Sequence, residues 1–209
     1  MARSTKLLQH ARHWAMGCLM LAFVACTGTK NFSKSERALI YSGNAQDTMR
    51  VLQITDRADS LILRANSKDI KKIAGNASLQ RLIKRMEATM HAEGGIGIAA
   101  PQVGINRNIF LFMRIDAPGT PVQVAINPRI VAGSEDLICF IGDGCLSIPD
   151  VSGNSKRHSW IEVEYYDEHG LKKRERFEGY SRPRSFTGVI FQHEYDHLRG
   201  ILFIDKLCE

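Results

Sequence analysis

The chain has 209 residues, of which 44% are hydrophobic and 24% charged, a composition typical of one globular domain with an appendage. Its formal net charge of +6 is uneven, because residues 1–48 carry six Lys and Arg against two acids. Residues 49–209 are therefore close to neutral, which argues against specific nucleic-acid binding. The basic run at 172–176 favours a solvated strand face, with docking of a polyanion such as ribosomal RNA as the alternative.

Residues 1–48 form a distinct N-terminal extension ahead of a predicted catalytic domain at 49–209. Basic residues precede an apolar run, Trp14 to Ala25, that ends at Cys26, which is the layout of a signal peptide. The run is shorter than the roughly 20 residues that a transmembrane helix needs. A translation start at Met49 or an organellar transit peptide would also explain the segment. Residues 27–48 are polar and predict a linker or a frayed segment.

The cysteines do not predict a disulfide framework. There are five at irregular spacing, Cys18, Cys26, Cys139, Cys145 and Cys208. An odd number without pattern favours reduced thiols. We expect Cys139 to be a small buried apolar residue, and the sequence assigns no task to Cys208.

The body of the chain predicts an α+β domain. Apolar residues at helical spacing predict amphipathic helices over residues 78–93 and 185–199, the second ended by Gly200. Short apolar or alternating runs predict strands at residues 108–113, 122–126, 160–166 and 171–177. The last two strands are joined by a tight turn and predict an antiparallel hairpin.

The second predicted helix contains the segment FQHEYDHL, residues 191–198. His193 and His197 are four residues apart, so both imidazoles lie on one helix face with Glu194 beside them. This is the HExxH arrangement, and the apolar stripe of the helix indicates that the histidines face inward. A chance match on a surface helix is the alternative.

A catalytic metal site of this kind needs a third protein ligand. The downstream positions do not supply it, because Phe203 stands where one class of zinc protease has a histidine and Glu209 has no helix to present it. Cys145, in the segment GDGCLSIP, is the upstream candidate, since a thiolate is a strong ligand for a borderline cation. The alternative for this cysteine is a small buried apolar residue.

The glycine-rich segment GIGIAAPQ, residues 95–102, partly fits a dinucleotide-binding motif. A helix precedes it and Pro101 blocks the helix that should follow, so a dinucleotide fold is excluded. The glycines instead allow backbone to approach a substrate closely. Gln102 then offers a side-chain amide to an oxyanion, unless it is a glutamine in a surface turn.

Three segments together, GIGIAAPQ, GCLS at 144–147 and QHEYDH at 192–197, resemble the three motifs of peptide deformylase in order and spacing. The resemblance extends over residues 49–207. It implies antiparallel or mixed sheets packed around a central helix that carries the HExxH motif. It also implies removal of the formyl group from N-formylmethionyl polypeptides.

The resemblance implies a role for each matching residue. Fe(II), with zinc, nickel or cobalt as alternatives, would be bound by Cys145, His193 and His197. Glu194 would transfer the proton, and Gln102 and the backbone N–H of Leu146 would stabilise the oxyanion. Ile96, Val189 and Ile190 would line the methionine pocket, with Gly97 as the glycine in close contact.

The chain departs from the family pattern at several points. Asp143 stands where the family has glutamate. Many bacterial members continue into a C-terminal helix that docks on the ribosome, whereas this sequence stops at Glu209, so ribosome docking is not among the expectations that it supports. Arg157 falls at a position that is often basic. The nascent-chain substrate favours the cytoplasm, with membrane tethering or an organelle as alternatives set by residues 1–48. A small metallopeptidase and a non-catalytic relative are the rival functions.

Overall fold

The computed structural model describes residues 1, 31–180 and 185–209. One antiparallel sheet has five strands. In their order across the sheet, the strands are β1 (Gly97–Ala99), β2 (Ile109–Met113), β3 (Val122–Gly133), β6 (Trp160–Tyr166) and β7 (Lys172–Glu178). A separate antiparallel hairpin is formed by β4 (Leu137–Cys145) and β5 (Ile148–His158).

The described part of the chain also contains four α-helices: α1 (Lys34–Ile40), α2 (Arg57–Leu63), α3 (Ala77–Ala92) and α4 (Thr187–His197). Short 3-10 helices span Ala100–Val103 and Phe203–Lys206. None of the helices in the described ranges is long and apolar enough to cross a membrane. The predicted α+β class, the helices at 78–93 and 185–199 and the hairpin of β6 and β7 are confirmed.

The sheet divides the core into two layers because side chains alternate across each strand. On β2, Ile109 and Leu111 pack with the buried face of α3, whereas Phe110 and Phe112 face α4. Phe191 of α4 contacts both phenylalanines edge-on, with ring centroids 4.8 and 5.3 Å away. The helix that carries the histidines is therefore held on the sheet by an aromatic cluster.

The basic run of the sequence lies on β7 and is neutralised by acids. Arg174 pairs with Glu162 at 2.7 Å, and Lys172 pairs with Glu164 at 2.7 Å across the hairpin. All four side chains are at least a quarter exposed. This ladder fits the solvated strand face that the sequence favours.

The prediction of a linker or frayed segment is wrong for residues 31–48. Ser33 and Glu36 form a capping box at the start of α1, and Glu36 also pairs with Arg107 at 2.7 Å. Phe32 and Ile40 are buried in the core beside α3. The composition is polar because most of this segment faces solvent, but Phe32 and Ile40 face inward. The predicted signal-like stretch lies outside the described residues.

Hydrogen bonds from Arg85 also hold this segment against α3. The guanidinium of Arg85 on α3 is buried and donates to the carbonyls of Leu39, Ile40, Asp47 and Thr48 at 2.7 to 3.3 Å. A buried guanidinium needs such partners. Residues 39–48 therefore belong to the folded body of the protein.

The cysteine predictions are corrected by the β4–β5 hairpin. Sequence patterns did not predict these strands, and Cys145 lies at the end of β4. Cys139 is exposed on β4 and forms a disulfide with Cys208, so neither is a free thiol. Strand alternation explains the error, because Phe140 takes the inward position next to Cys139.

Candidate metal centre and catalytic cavity

Cys145, His193 and His197 are brought together as the sequence predicts. The sulfur of Cys145 and ring nitrogens of both histidines all lie within 4.8 Å of one another. The Sγ–Nε2 distance between Cys145 and His197 is 3.3 Å. In the described ranges this is the one group of three or more possible ligands that could hold a metal ion. One thiolate and two imidazoles suit a divalent ion of borderline softness, so the residues fit the metal that the resemblance implies.

Asp143 fixes the orientation of His193. Nδ1 of His193 lies 2.9 Å from Oδ1 of Asp143. A carboxylate only accepts, so Nδ1 donates and Nε2 is left free to bind an ion. Asp143 is one methylene shorter than the family glutamate, yet its carboxylate still reaches the histidine, since it lies on β4 only two residues before Cys145.

A buried network of charges supports this contact, and sequence reasoning missed it. Arg157 is fully buried on β5 and reaches Asp143 at 2.7 Å and Asp196 at 2.6 Å. Lys206 pairs with the other oxygen of Asp196 at 2.7 Å, and Ser155 donates to Asp143 at 2.6 Å. Two cations balance two carboxylates, as a buried group of charges requires. One feature of the sequence could have predicted this network: Asp196 follows His193 by three residues, so its carboxylate lies near the same face of the helix.

The electrostatics of the site favour a positive charge between the ligands. Burial lowers the pKa of His193, but Asp143 and the sulfur of Cys145 outweigh it and raise that pKa well above its usual value. Burial lowers the pKa of His197, which keeps its ring neutral. Burial opposes ionisation of Asp143, yet His193 and Arg157 hold the pKa of this carboxyl far below its usual value. A divalent cation satisfies the same demand for positive charge.

Glu194 lies next to the ligands with its carboxyl group in the interior. The side chain is buried, and its Oε2 makes no hydrogen bond to any described residue. Burial raises the pKa of Glu194 to about 7. A carboxyl group with that pKa can both accept and release a proton near neutral pH.

Gly97 gives Glu194 the room that it occupies. A Cβ atom on Gly97 would lie 2.4 Å from Oε1 of Glu194 and 2.9 Å from its Cγ. Gly97 also lines the adjoining cavity. The glycine therefore accommodates the carboxylate of the protein as well as facing the space that a substrate would use.

Gln102 is buried, which excludes the alternative of a glutamine in a surface turn. It belongs to the 3-10 helix Ala100–Val103, and its Oε1 accepts from the backbone N–H of Ala99 at 2.8 Å. This bond turns Nε2 towards Ser147 Oγ at 3.4 Å and Cys145 Sγ at 3.6 Å. The amide donor of Gln102 thus points at the candidate metal centre.

These groups open into a cavity of about 410 Å³. Its walls are the glycine segment, the end of the β4–β5 hairpin and the first turns of α4. The predicted site residues that line it are Ile96, Gly97, Gln102, Cys145, Leu146, Val189, Ile190, His193 and Glu194. His197 lies behind them and contacts Cys145. Phe140, Ile148 and Phe186 also line the cavity, and sequence reasoning did not identify them.

Comparison with known proteins agrees with this arrangement. The family model described as polypeptide deformylase matches residues 49–209. The chain is 40% identical to a peptide deformylase of Synechocystis sp. over 147 residues, which cover 70% of this chain and 74% of the relative. It is also 40% identical to one from Pseudothermotoga lettingae over 146 residues, 70% of this chain and 77% of the relative.

Solved structures give the same result. A class I type b peptide deformylase from Acinetobacter baumannii superposes with a TM-score of 0.68 at 31% identity, covering 77% of this chain and 99% of that one. A peptide deformylase from Synechococcus elongatus, solved in complex with actinonin, gives a TM-score of 0.65 at 34% identity, covering 77% of this chain and 79% of that one. The chain belongs to the polypeptide deformylase family, the metal-dependent hydrolases that remove the formyl group from the N-terminal methionine of newly made polypeptides.

Proposed function

We propose that Cys145, His193 and His197 of this chain hold a divalent ion, iron(II) in the cell, and that Glu194 moves the proton in deformylation. The observation that carries the proposal is the cluster of three ligand atoms within 4.8 Å of one another, beside a buried carboxyl group. The bound ion supplies Lewis acidity to the site. Zinc, nickel or cobalt also suit these ligands, so the choice of iron is part of the proposal.

The steps of the reaction are assigned to groups of this chain. The oxygen of a water molecule bonds to the formyl carbon, and the carboxylate of Glu194 takes a proton from this water. The carbon–nitrogen bond then breaks, and Glu194 returns the proton to the nitrogen of methionine. The products are formate and a peptide with a free amino terminus. Its buried position beside the metal ligands suits Glu194 to both transfers.

Charge that develops on the formyl oxygen needs hydrogen-bond donors. Nε2 of Gln102 is the side-chain donor, because the bond from Ala99 to Oε1 holds the amide in that orientation. The backbone N–H of Leu146, next to Cys145, is the second donor. The carbonyl of Leu146 accepts from Gln53 Nε2 at 3.2 Å, which helps to fix this turn.

The methionine side chain occupies the apolar part of the cavity. Val189 and Ile190 lie on the first turns of α4, and Ile96 lines the same cavity. Phe140 and Phe186 enclose the same space, with ring centroids 5.3 Å apart. An unbranched thioether side chain suits a pocket of aliphatic and aromatic groups.

The test is formate release from a formyl-Met tripeptide by protein prepared without oxygen and loaded with iron(II). We expect Glu194→Gln to lose at least about a hundredfold in kcat, the usual effect of removing a general base, while the metal content stays the same. Glu135→Gln, an exposed glutamate outside the cavity, is the matched control. Near-full turnover by Glu194→Gln would refute the role given to this carboxylate.

Product analysis separates the rival functions. A metallopeptidase would cut internal peptide bonds of the same substrate, whereas a non-catalytic relative would release no formate.

The nascent polypeptide is the substrate of the family, so we propose that the protein works in the compartment where translation takes place. This compartment is the cytoplasm unless residues 1–48 direct the chain elsewhere. Ribosome association is not required for this proposal.

A further inference from the structure

The two donors assigned to the oxyanion come from separate parts of the chain. Gln102 lies in the 3-10 helix Ala100–Val103, whereas Leu146 directly follows β4. One short segment, residues 52–54, is hydrogen-bonded to the backbone at both places. At the first place, the N–H of Leu52 donates to the carbonyl of Gln102 at 2.8 Å. The position of this segment therefore bears on the position of Gln102.

The same segment binds the turn that follows Cys145. Nε2 of Gln53 donates to the carbonyl of Leu146 at 3.2 Å, and the N–H of Ile54 donates to the carbonyl of Ser147 at 3.0 Å. These two peptide groups come directly after the N–H of Leu146. Because peptide groups are planar, holding their carbonyls limits rotation of the backbone at Leu146. The segment thus holds the two oxyanion donors in a fixed relation to each other.

Asp59 keeps the segment itself in place. Its Oδ2 accepts from the backbone N–H of Gln53 at 2.9 Å, and its two carboxylate oxygens accept from Arg50 at 2.6 and 2.7 Å. The side chain of Asp59 is 4% exposed and lies in the first turn of α2. Hydrogen bonds between charged groups in this bidentate arrangement are strong and directional. The buried carboxylate therefore fixes the chain at Gln53.

We propose that Asp59 and Gln53 are positioning residues for deformylation: Asp59 holds Gln53, and Gln53 holds the N–H of Leu146 where the oxyanion forms. This inference rests on the proposed function. Neither positioning residue lines the cavity, so neither acts by contact with the substrate. The oxyanion exists only after water has bonded to the formyl carbon, so the effect falls on kcat and not on KM.

Formate release from a formyl-Met tripeptide by the iron(II)-loaded protein tests Gln53. Gln53→Met keeps the length of the side chain and removes its hydrogen-bond donor. We expect kcat to fall by about tenfold with KM and metal content unchanged, which is less than the roughly 100-fold to 1,000-fold cost of removing an oxyanion donor outright.

Gln80→Met is the matched control for this variant. Nε2 of Gln80 also donates to a backbone carbonyl, that of Glu168, at 2.8 Å, and neither residue lines the cavity. The control loses the same kind of hydrogen bond, so it should lower the melting temperature by a similar amount. Its kcat should equal that of the unchanged protein, which separates positioning from a general loss of stability.

Asp59→Asn tests the remote end of the same contact. An amide cannot offer Arg50 two charged oxygens, so the segment is held less firmly, and we expect kcat to fall by about threefold to tenfold. Glu36→Gln is the control, because Glu36 likewise lies in the first turn of a helix and accepts from Arg107 at 2.7 and 2.8 Å. This control should leave kcat unchanged.

The double variant of Asp59→Asn and Gln53→Met shows whether the two residues act together. Its loss in kcat should be smaller than the product of the two single losses, because both changes weaken one contact. Losses that multiply fully would refute the action of Asp59 through Gln53.

Two further results would overturn the inference: a kcat of Gln53→Met equal to that of Gln80→Met, or a loss carried by KM or by metal content. If Asp59→Asn is unfolded at the assay temperature, Gln53→Met decides the question alone. Failure of the proposed function looks different, because the unchanged iron-loaded protein would then release no formate. The two failures are therefore distinguishable in one set of assays.

Discussion

Replacing Gly97 by alanine tests whether the position of Glu194 depends on a missing side chain. The added Cβ would lie 2.4 Å from Oε1 of Glu194. An ordinary contact needs roughly 3.4 Å, so the carboxylate must move by about 1 Å, and a misplacement of that size costs about a hundredfold in rate. The atoms that the new Cβ would meet all belong to the side chain of Glu194 and none to the backbone, so the fold should tolerate the change. We expect kcat to fall by about a hundredfold, with small changes in metal content and melting temperature.

Steady-state kinetics of formate release check this prediction. A displaced Glu194 lowers kcat and leaves KM nearly unchanged, whereas a clash of the new methyl group with substrate would mainly raise KM. Gly153→Ala is the control, since its Cβ would lie 2.7 Å from a methyl group of Leu207, a half-exposed side chain that can move away. A Gly97→Ala protein with a kcat within about threefold of the unchanged protein would refute the argument, because about 1 Å of displacement should cost far more.

Three further perturbations test the supports of the site. Asp143→Asn should weaken metal binding by about 10-fold to 100-fold in a chelator competition, the usual effect of losing the partner of a metal-binding histidine; unchanged affinity would refute its role. The hydrogen bond from Arg114 is the main cause that lowers the pKa of Asp116 in the folded protein. The stabilisation of the fold by this ionised carboxylate is therefore present above the unfolded pKa of about 3.9 and is lost as the pH falls through the lower pKa of the folded state. Urea unfolding should therefore show that Asp116→Asn is destabilised at neutral pH but progressively less below about pH 4, and a constant difference would contradict this. A chain that begins at Met49 leaves Arg85 without its carbonyl partners and should lose at least about 3 kcal/mol of unfolding free energy relative to a chain that begins at residue 31; equal stability of the two would refute the claim.

The elements that sequence patterns predicted are those with a strong local period. Residues 78–93 repeat apolar side chains at helical spacing, and α3 spans Ala77–Ala92. Residues 160–177 alternate and turn tightly, and they form the hairpin of β6 and β7. The two histidines were predicted to share a helix face because four residues make about one helical turn. The cysteine was found by excluding the downstream ligands, and the structure brings it next to both rings.

The features that were missed depend on contacts far apart in the chain. β4 and β5 are rich in Gly, Ser and Pro around the turn that joins them, so local turn signals hid two strands that pair over a long hairpin. The bridge from Arg157 to Asp196 joins residues 39 apart, and the disulfide joins cysteines 69 apart. The residues next to each partner in the sequence show no pattern that predicts such a contact. Polar composition likewise concealed α1, which is anchored by Phe32, Ile40 and one ion pair to Arg107.

The Cys139–Cys208 disulfide closes a covalent ring of the chain that contains Cys145, His193 and His197, since all three ligands lie between the joined cysteines in sequence. A single proteolytic nick inside this ring cannot separate the cysteine ligand from the histidines. Cleavage at the exposed turn near His169 would leave two fragments that migrate together until a reductant is added. The oxidised protein should therefore retain a connected metal site after limited digestion, and reduction should release the histidine-bearing fragment.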